Sequence, residues 1–580
     1  MHRCAPVAER AIQIFAILIG GVFLLSAGVY LYLGRVTWLL GGDFWSVYAF
    51  AWDHRWLQSA LLKQAGHVTF FPNLIGLANL RFFHGNVRML FFAGLGLLFI
   101  TVALLLIPIW RDKTISLTAK TISTLVVVMG NFWMGRASIT ANGEFNCENS
   151  LAMNGAALAF LLIAKTRCSW TTTAIVVCAG FVASFSFGAG LAIWPTLLLL
   201  AWCMRLPGRT IVLLGISALA AGLVYAMVPM LPFSWPKASA VSPNPIAVLT
   251  NFCRLVGSPV LCTIAAWRTE KSLADLEHSF AIALWTGLAG LVLAGIFVIP
   301  RMLWRDLKSG LESTGSSLLI FNLFALTLIA LGRLKSFDLV PFAPRYLFWS
   351  SLFWTSLILL AIERAEHLQW RRWPILLLPF AIAIFSWPAH YQAWFWCKNV
   401  QITYDRDATA LINGAFEAQR MQMIPPQFKQ IFEERIHLAS QLRARRLDVF
   451  ADGFQDWLGL TLTDVFGPRH SAEGLRGQCR IDALGQCDNG APAARVSGQA
   501  FKHEQSIPWT LVITDSKGVI RGVARSAPIT PFINRTFYQS TFTANIGFVG
   551  YIRDYNPELR YAVRSADNLT LSDEEIPVQH

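Results

Sequence analysis

An aspartate set between two glycines and two aromatics, Gly41-Gly42-Asp43-Phe44-Trp45, has the type and context to take a proton. It follows directly on an uncharged apolar stretch, so its carboxylate would lie at a membrane surface. A carboxylate within hydrogen-bond reach of a hydroxyl acts as its general base. The glycines let a backbone approach a substrate, and Trp38, Trp45 and Trp52 offer stacking surfaces for a sugar ring. The plainer alternatives are that Asp43 caps the following helix and that the tryptophans anchor at the interface.

A second group is basic. Arg345, in Pro344-Arg345-Tyr346, follows Arg333 and Lys335. Arginine binds phosphate in bidentate fashion, so this cluster suits a lipid-linked phosphate at headgroup level; attraction to ordinary anionic lipid is the competing explanation. His67, Arg81, Arg88 and Arg136 would complete the same pocket, and Glu144 and Glu148 would supply a second carboxylate for a metal or an acceptor hydroxyl. Asp53-His54 reads as an exposed helix face.

The elements that must position these groups are apolar. The chain has 580 residues, 55% hydrophobic and only 14% charged, against roughly 25% charged in soluble domains. Its mean hydropathy is +0.49. This excludes a disordered chain, a coiled coil, a small disulfide scaffold and a soluble enzyme, and it indicates a polytopic α-helical membrane protein. Runs near 11–33, 87–110, 119–135, 151–165, 170–188, 189–204, 210–230, 279–300, 316–333, 347–363 and 374–391 approach the ~20 residues a span needs. They make about 11 transmembrane helices. With a cytoplasmic N-terminus, each inside loop carries at least two Lys or Arg, for example Arg111 and Lys113, or Arg364, Arg371 and Arg372. That bias fits the positive-inside rule and puts the C-terminus outside. It also accounts for much of the net charge of +14, and no nucleic-acid-binding motif accompanies it.

Residues 1–396 thus read as a membrane domain with a large first outside loop, 34–86. Within that loop, Trp52 to Ala65 and Phe70 to Phe83 are expected to lie along the surface, the second broken by Pro72 and Asn73. The stretch 231–278, rich in proline, reads as another outside loop. Residues 397–450 read as a helical connector and 451–580 as a β-rich, extracytoplasmic, sandwich-like domain. There Thr510–Thr514 and Val519–Val523 flank the turn Asp515-Ser516-Lys517-Gly518. Of ten cysteines, Cys479 and Cys487 fall in this polar domain, where an oxidising location would allow a disulfide.

These features together resemble the GT-C superfamily of integral-membrane glycosyltransferases. Its members carry an acidic residue just after the first span, the place of Asp43. Bacterial members of this type show a His-containing stretch running into Phe-Pro and Leu-x-Asp/Asn-Leu-Arg. Gly66-His67-Val68-Thr69-Phe70-Phe71-Pro72 and Leu77-Ala78-Asn79-Leu80-Arg81 are similar to it. Gly188-Ala189-Gly190-Leu191-Ala192-Ile193-Trp194-Pro195 resembles their Gly-Leu-x-x-Trp-Pro motif, and Arg345-Tyr346 their late Arg-Tyr pair. Val496–Phe501 and Gly547–Tyr551 are similar to the β-domain that closes such chains. The chain departs in showing one acid, Asp43, where relatives often show two.

The resemblance implies a bacterial inner-membrane enzyme with a periplasmic C-terminal domain. It implies transfer of a sugar from a polyprenyl-phosphate donor to a cell-surface glycan or glycolipid acceptor. Asp43 would be the base of an inverting reaction, and Arg345 with Arg333 or Lys335 would hold the donor phosphate. It implies no certain cofactor and leaves room for a divalent metal, Mg or Mn. A transporter or flippase of lipid-linked glycans is the alternative; it predicts an internal repeat and ionisable groups at span centres, and the sequence displays neither. A membrane acyltransferase would need a His base buried in a span and facing the cytoplasm, and none is evident.

Overall fold

The computed structural model describes residues 5–35, 47–48, 51, 56–64, 66–164, 169–229, 244–267, 275–304, 310–332, 344–368, 372–416, 437–467, 470–471, 475–502, 510–526, 547–566, 571–572 and 574–579. The chain forms two compact units. One comprises 1–35, 50–78 and 88–398; the other comprises 36–49, 79–87 and 399–580.

The first unit is helical. Eight of its described helices are long and apolar enough to cross a membrane, with spans at 7–32, 87–111, 208–227, 245–265, 279–300, 310–332, 347–365 and 372–394. Two more apolar helices, Trp170–Ser184 and Gly188–Cys203, are shorter. Along the first helix, Ile14, Phe15, Ile17, Leu18, Val22 and Leu25 face outward. Such a continuous apolar face suits hydrocarbon rather than water. A backbone that satisfies its own hydrogen bonds is the form a chain must take in lipid. The chain is therefore a multi-pass membrane protein.

One span-length helix lies where the sequence suggested an outside loop. Pro245–Ala265 is a continuous helix, with Asn244 as its cap, Pro245 in the first turn and Pro259 inside. Proline at the start of a helix gives up an N–H that would be unpaired anyway. The prolines that made 231–278 read as a loop therefore do not exclude a helix there. By length and composition this helix is a candidate span that the expected count of about 11 did not include.

It packs tightly on Asp275–Trp304. A Cβ on Gly257 would lie 1.9 Å from the Ala283 carbonyl oxygen, and one on Gly287 would lie 1.8 Å from that of Cys253. Small residues of this kind let helix backbones touch in membranes. Gly287→Ala is expected to destabilise the protein by about 1–3 kcal/mol, read as a lower unfolding temperature in detergent. Gly295→Ala, whose nearest contact would be Ile299 at 3.5 Å, should not.

The first loop also differs from expectation. Trp56–Leu61 is a short helix, followed by two paired strands, β1 (Lys63–Gln64) and β2 (His67–Val68). Gly66 turns between them with φ +87°, a conformation that favours glycine. Phe70–Phe83 is a single unbroken helix. Pro72 sits in its first turn, and the buried Asn73 amide donates to the Ala60 carbonyl and accepts from Gln64.

The second unit holds a closed sheet. After β3 (Ala415–Phe416) and β4 (His470–Ser471) come β5 (Leu475–Cys487), β6 (Pro492–Lys502), β7 (Thr510–Asp515), β8 (Ile520–Ser526), β9 (Phe548–Arg553), β10 (Tyr561–Ser565), β11 (Leu571–Ser572) and β12 (Ile576–Gln579). Their order is β12-β10-β7-β8-β9-β6-β5-β3, and β12 also pairs with β5. The last pairing closes seven strands into a barrel, in place of the expected two-layer sandwich. Leu511, Ile513, Ala524, Ile552 and Val563 share its buried core. The expected turn is present: the Asp515 carboxylate accepts from the backbone of Lys517 and Val519, and from Arg521 Nε.

The disulfide expected between Cys479 and Cys487 does not form. Both thiols are free and buried, and both lie on β5. Eight residues of extended strand separate them by roughly 25 Å, far beyond the ~7 Å Cα limit for a bridge. Burial pushes the Cys479 thiol up to about 12, so it is inert at neutral pH. Thiol labelling is expected to modify neither cysteine in the folded protein and both after denaturation without reductant.

Candidate functional site

The candidate site is built around a corner between two helices. Leu117–Phe132 ends at Trp133, whose extended backbone leads into a 3-10 turn, Met134–Arg136, and a short helix, Ala137–Thr140. Asn142 then caps Gly143–Ile163 by accepting from the Glu144 N–H at 3.0 Å. A Cβ on Gly143 would lie 2.4 Å from Phe91 N, so only glycine fits this corner.

Arg136 is wholly buried there, at 0% exposure. Its guanidinium carbon lies 4.4 Å from the centre of the Phe348 ring, a cation–π contact. Among the described residues, none of its three side-chain nitrogens has a hydrogen-bond partner. A buried charge normally has a counter-charge, because leaving it unpaired costs several kcal/mol. Burial alone pushes the guanidinium down to about 9, which still leaves it charged at pH 7.

Other unsatisfied buried donors occur on the segments packed against this turn. They are the Tyr346 hydroxyl, the Trp349 and Trp133 indole N–H groups and Arg254 Nε. Pro344–Tyr346, Leu347–Ala365 and Pro245–Ala265 all contact Met134–Arg136. Together they form a region rich in donors that have no acceptor among the described residues, which is the inventory an anion requires.

His390 pins the turn. Its Nδ1 accepts the Met134 N–H at 3.2 Å, so Nε2 carries the ring proton and donates to Ser26 Oγ at 2.9 Å. Phe23, Tyr30 and Trp387 surround the ring. His390 is thus buried in a span-length helix, near the end of the expected span 374–391 that lies away from Arg371 and Arg372. With both nitrogens engaged it is a structural pin rather than a free base.

His67 approaches from another direction. The His67 ring lies 5.1 Å from Phe187, which stacks on Trp349 at 5.9 Å. Trp349 meets Phe348 edge-on at 4.9 Å, and Phe348 carries Arg136. A Cβ on Gly188 would fall 2.3 Å from His67 Nδ1, which explains the glycine opening Gly188–Pro195. The Tyr225 hydroxyl accepts from Val68 N–H and donates to the Gly66 carbonyl. Glu148, buried on Gly143–Ile163, interacts electrostatically with Tyr225.

The structure thus links His67, Arg136 and Glu148 in one unit. Arg345 is exposed, with its guanidinium 5.2 Å from the Tyr346 ring. Arg81 is exposed near the end of Phe70–Phe83. Asp43, Arg333 and Lys335 lie outside the described residues, as do Trp38, Trp45, Trp52, Asp53 and His54. Among the described residues, no three His, Cys, Asp or Glu side chains gather as a metal would need.

Sequence reasoning noted Tyr346 only as part of the Arg345-Tyr346 pair and missed Trp349, Trp133, Arg254 and His390. Only His390 carried a signal, as an ionisable residue at the end of an apolar run. Compared with protein families and with curated proteins, the sequence matches none.

Proposed function

We propose that this chain is a membrane glycosyltransferase. In this reading it moves a sugar from a polyprenyl-phosphate donor to a glycan or glycolipid acceptor at the extracytoplasmic face of a bacterial inner membrane. The observation that carries the reading is the buried Arg136, with no hydrogen-bond partner among the described residues and set among further unsatisfied donors, a donor set that suits a phosphate.

The chemistry follows from charge. Asp43 takes the proton of the acceptor hydroxyl as its oxygen attacks the anomeric carbon from the face opposite the phosphate. The bond from that carbon to the phosphate oxygen breaks, its electron pair stays on the phosphate, and the configuration inverts. A singly charged phosphodiester becomes a phosphate monoester with about one more negative charge. A fixed cation therefore stabilises the transition state more than the bound donor, the condition for catalysis. Arg136 supplies that cation, with the Tyr346 hydroxyl and Trp349 N–H as neutral donors. The exposed Arg345, with Arg333 and Lys335, suits capture of the headgroup. The apolar carrier chain would lie along the lipid-facing helices, and His67 and Glu148 would meet the sugar or acceptor.

The test is mass spectrometry of surface glycans and glycolipids from a deletion strain, complemented with wild type or Asp43→Asn. A sugar that disappears on deletion and returns only with wild type supports the transferase and names its product. A deletion strain that accumulates a complete lipid-linked glycan would identify a transporter instead.

A further inference from the structure

We infer that the C-terminal domain carries a separate binding site for an acidic saccharide, in a cleft of about 630 Å³. That volume suits a small-molecule ligand. Arg443, Arg446, Arg521 and Arg553 line it together with Asp456 and Asp554, and no other lining residue is charged. On the lining itself arginines outnumber aspartates four to two; Asp488 and Asp515, which do not line the cleft, pair with three of the arginines.

The arginines are held rather than loose. Arg443 and Arg553 share Asp488 at 3.0 and 2.8 Å, Arg446 meets Asp456 at 2.8 Å and Arg521 meets Asp515 at 2.9 Å. Arg521 makes that contact through Nε, and its two terminal nitrogens bond nothing among the described residues. A guanidinium oriented in this way is ready for two-pronged binding of a carboxylate or phosphate group. Arg446 and Asp554 hold left-handed backbone, φ 51° and 53°, unusual for residues other than glycine.

The rest of the lining selects the ligand. Asp456 and Asp554 would repel a densely charged polyphosphate or nucleic acid, yet they accept readily from sugar hydroxyls. The half-buried Leu458 offers apolar surface to the C–H face of a pyranose. One acidic group amid several hydroxyls is the chemistry that fits. The cleft lies wholly within the second unit, so its occupancy does not depend on the transferase reading.

The test is titration of purified full-length protein in detergent with hexagalacturonate, with maltohexaose as the neutral comparison. Hexagalacturonate is expected to bind and maltohexaose not. Arg446→Gln with Arg521→Gln is expected to weaken binding at least about tenfold, while Arg564→Gln, which does not line the cleft, leaves it unchanged. If the double variant fails to fold, Arg446→Gln alone carries the test, since that side chain is 67% exposed. Absence of hexagalacturonate binding, undiminished binding by a folded variant, or equal binding of maltohexaose overturns the inference. Displacement by equimolar inorganic phosphate also overturns it, because the cleft would then be a bare anion site.

Discussion

Asp43→Asn is expected to lower sugar transfer by about 10²–10⁴-fold, the usual worth of a positioned general base. The substitution separates the two roles open to this residue. Asparagine caps helices about as well as aspartate, so an aspartate that only starts a helix would be replaced without loss. A base cannot be replaced in this way, because the amide does not take a proton at neutral pH. The measurement is in vitro transfer from a polyprenyl-phosphate sugar by purified wild type and variant, with equal unfolding temperatures as the check on folding. Full activity in the variant would assign Asp43 to the cap and remove the proposed base.

Arg136→Met is expected to move stability and activity in opposite directions. Replacing an unpaired buried charge with an apolar side chain of similar length removes a desolvation cost, so stability should hold or rise by about 1–4 kcal/mol. Transfer should fall by about 10²–10³-fold, because the cation facing the leaving phosphate is gone. A structural arginine predicts the reverse on the first count, a drop in both quantities. Thermal unfolding and transfer rate measured on the same preparation decide between them. Stability that falls alongside activity would show that Arg136 holds the corner between Leu117–Phe132 and Gly143–Ile163 rather than a ligand.

Much of the helical unit was legible in the sequence, because a span announces itself locally. A run such as Ala11 to Leu33 must be long and uncharged whatever it packs against. The hairpin at Thr510–Ser526 was legible for a similar reason: alternation and an Asp-Ser-Lys-Gly turn are local signals. The helix Pro245–Ala265 was hidden, since prolines mark loops in sequence yet are tolerated in a first turn. Barrel closure was hidden as well. It rests on β12 pairing with β5, two strands about a hundred residues apart, and no local pattern encodes that register.

The candidate site divides along the same line. The sequence by itself determined that polar groups such as His67, Arg136, Glu148 and Arg345 belong to segments between apolar runs, because charge is excluded from hydrocarbon. It also brought Arg136 forward, but only as one basic residue among several. The tertiary structure alone decided that Arg136 is buried with no hydrogen-bond partner among the described residues while Arg345 is exposed. Burial depends on which segments pack over a side chain, and Tyr346, Trp349 and His390 reach this turn from more than two hundred residues away. Cys479 and Cys487 are the opposite case, only eight positions apart. Their spacing permitted a bridge, and only their placement on one extended strand forbade it.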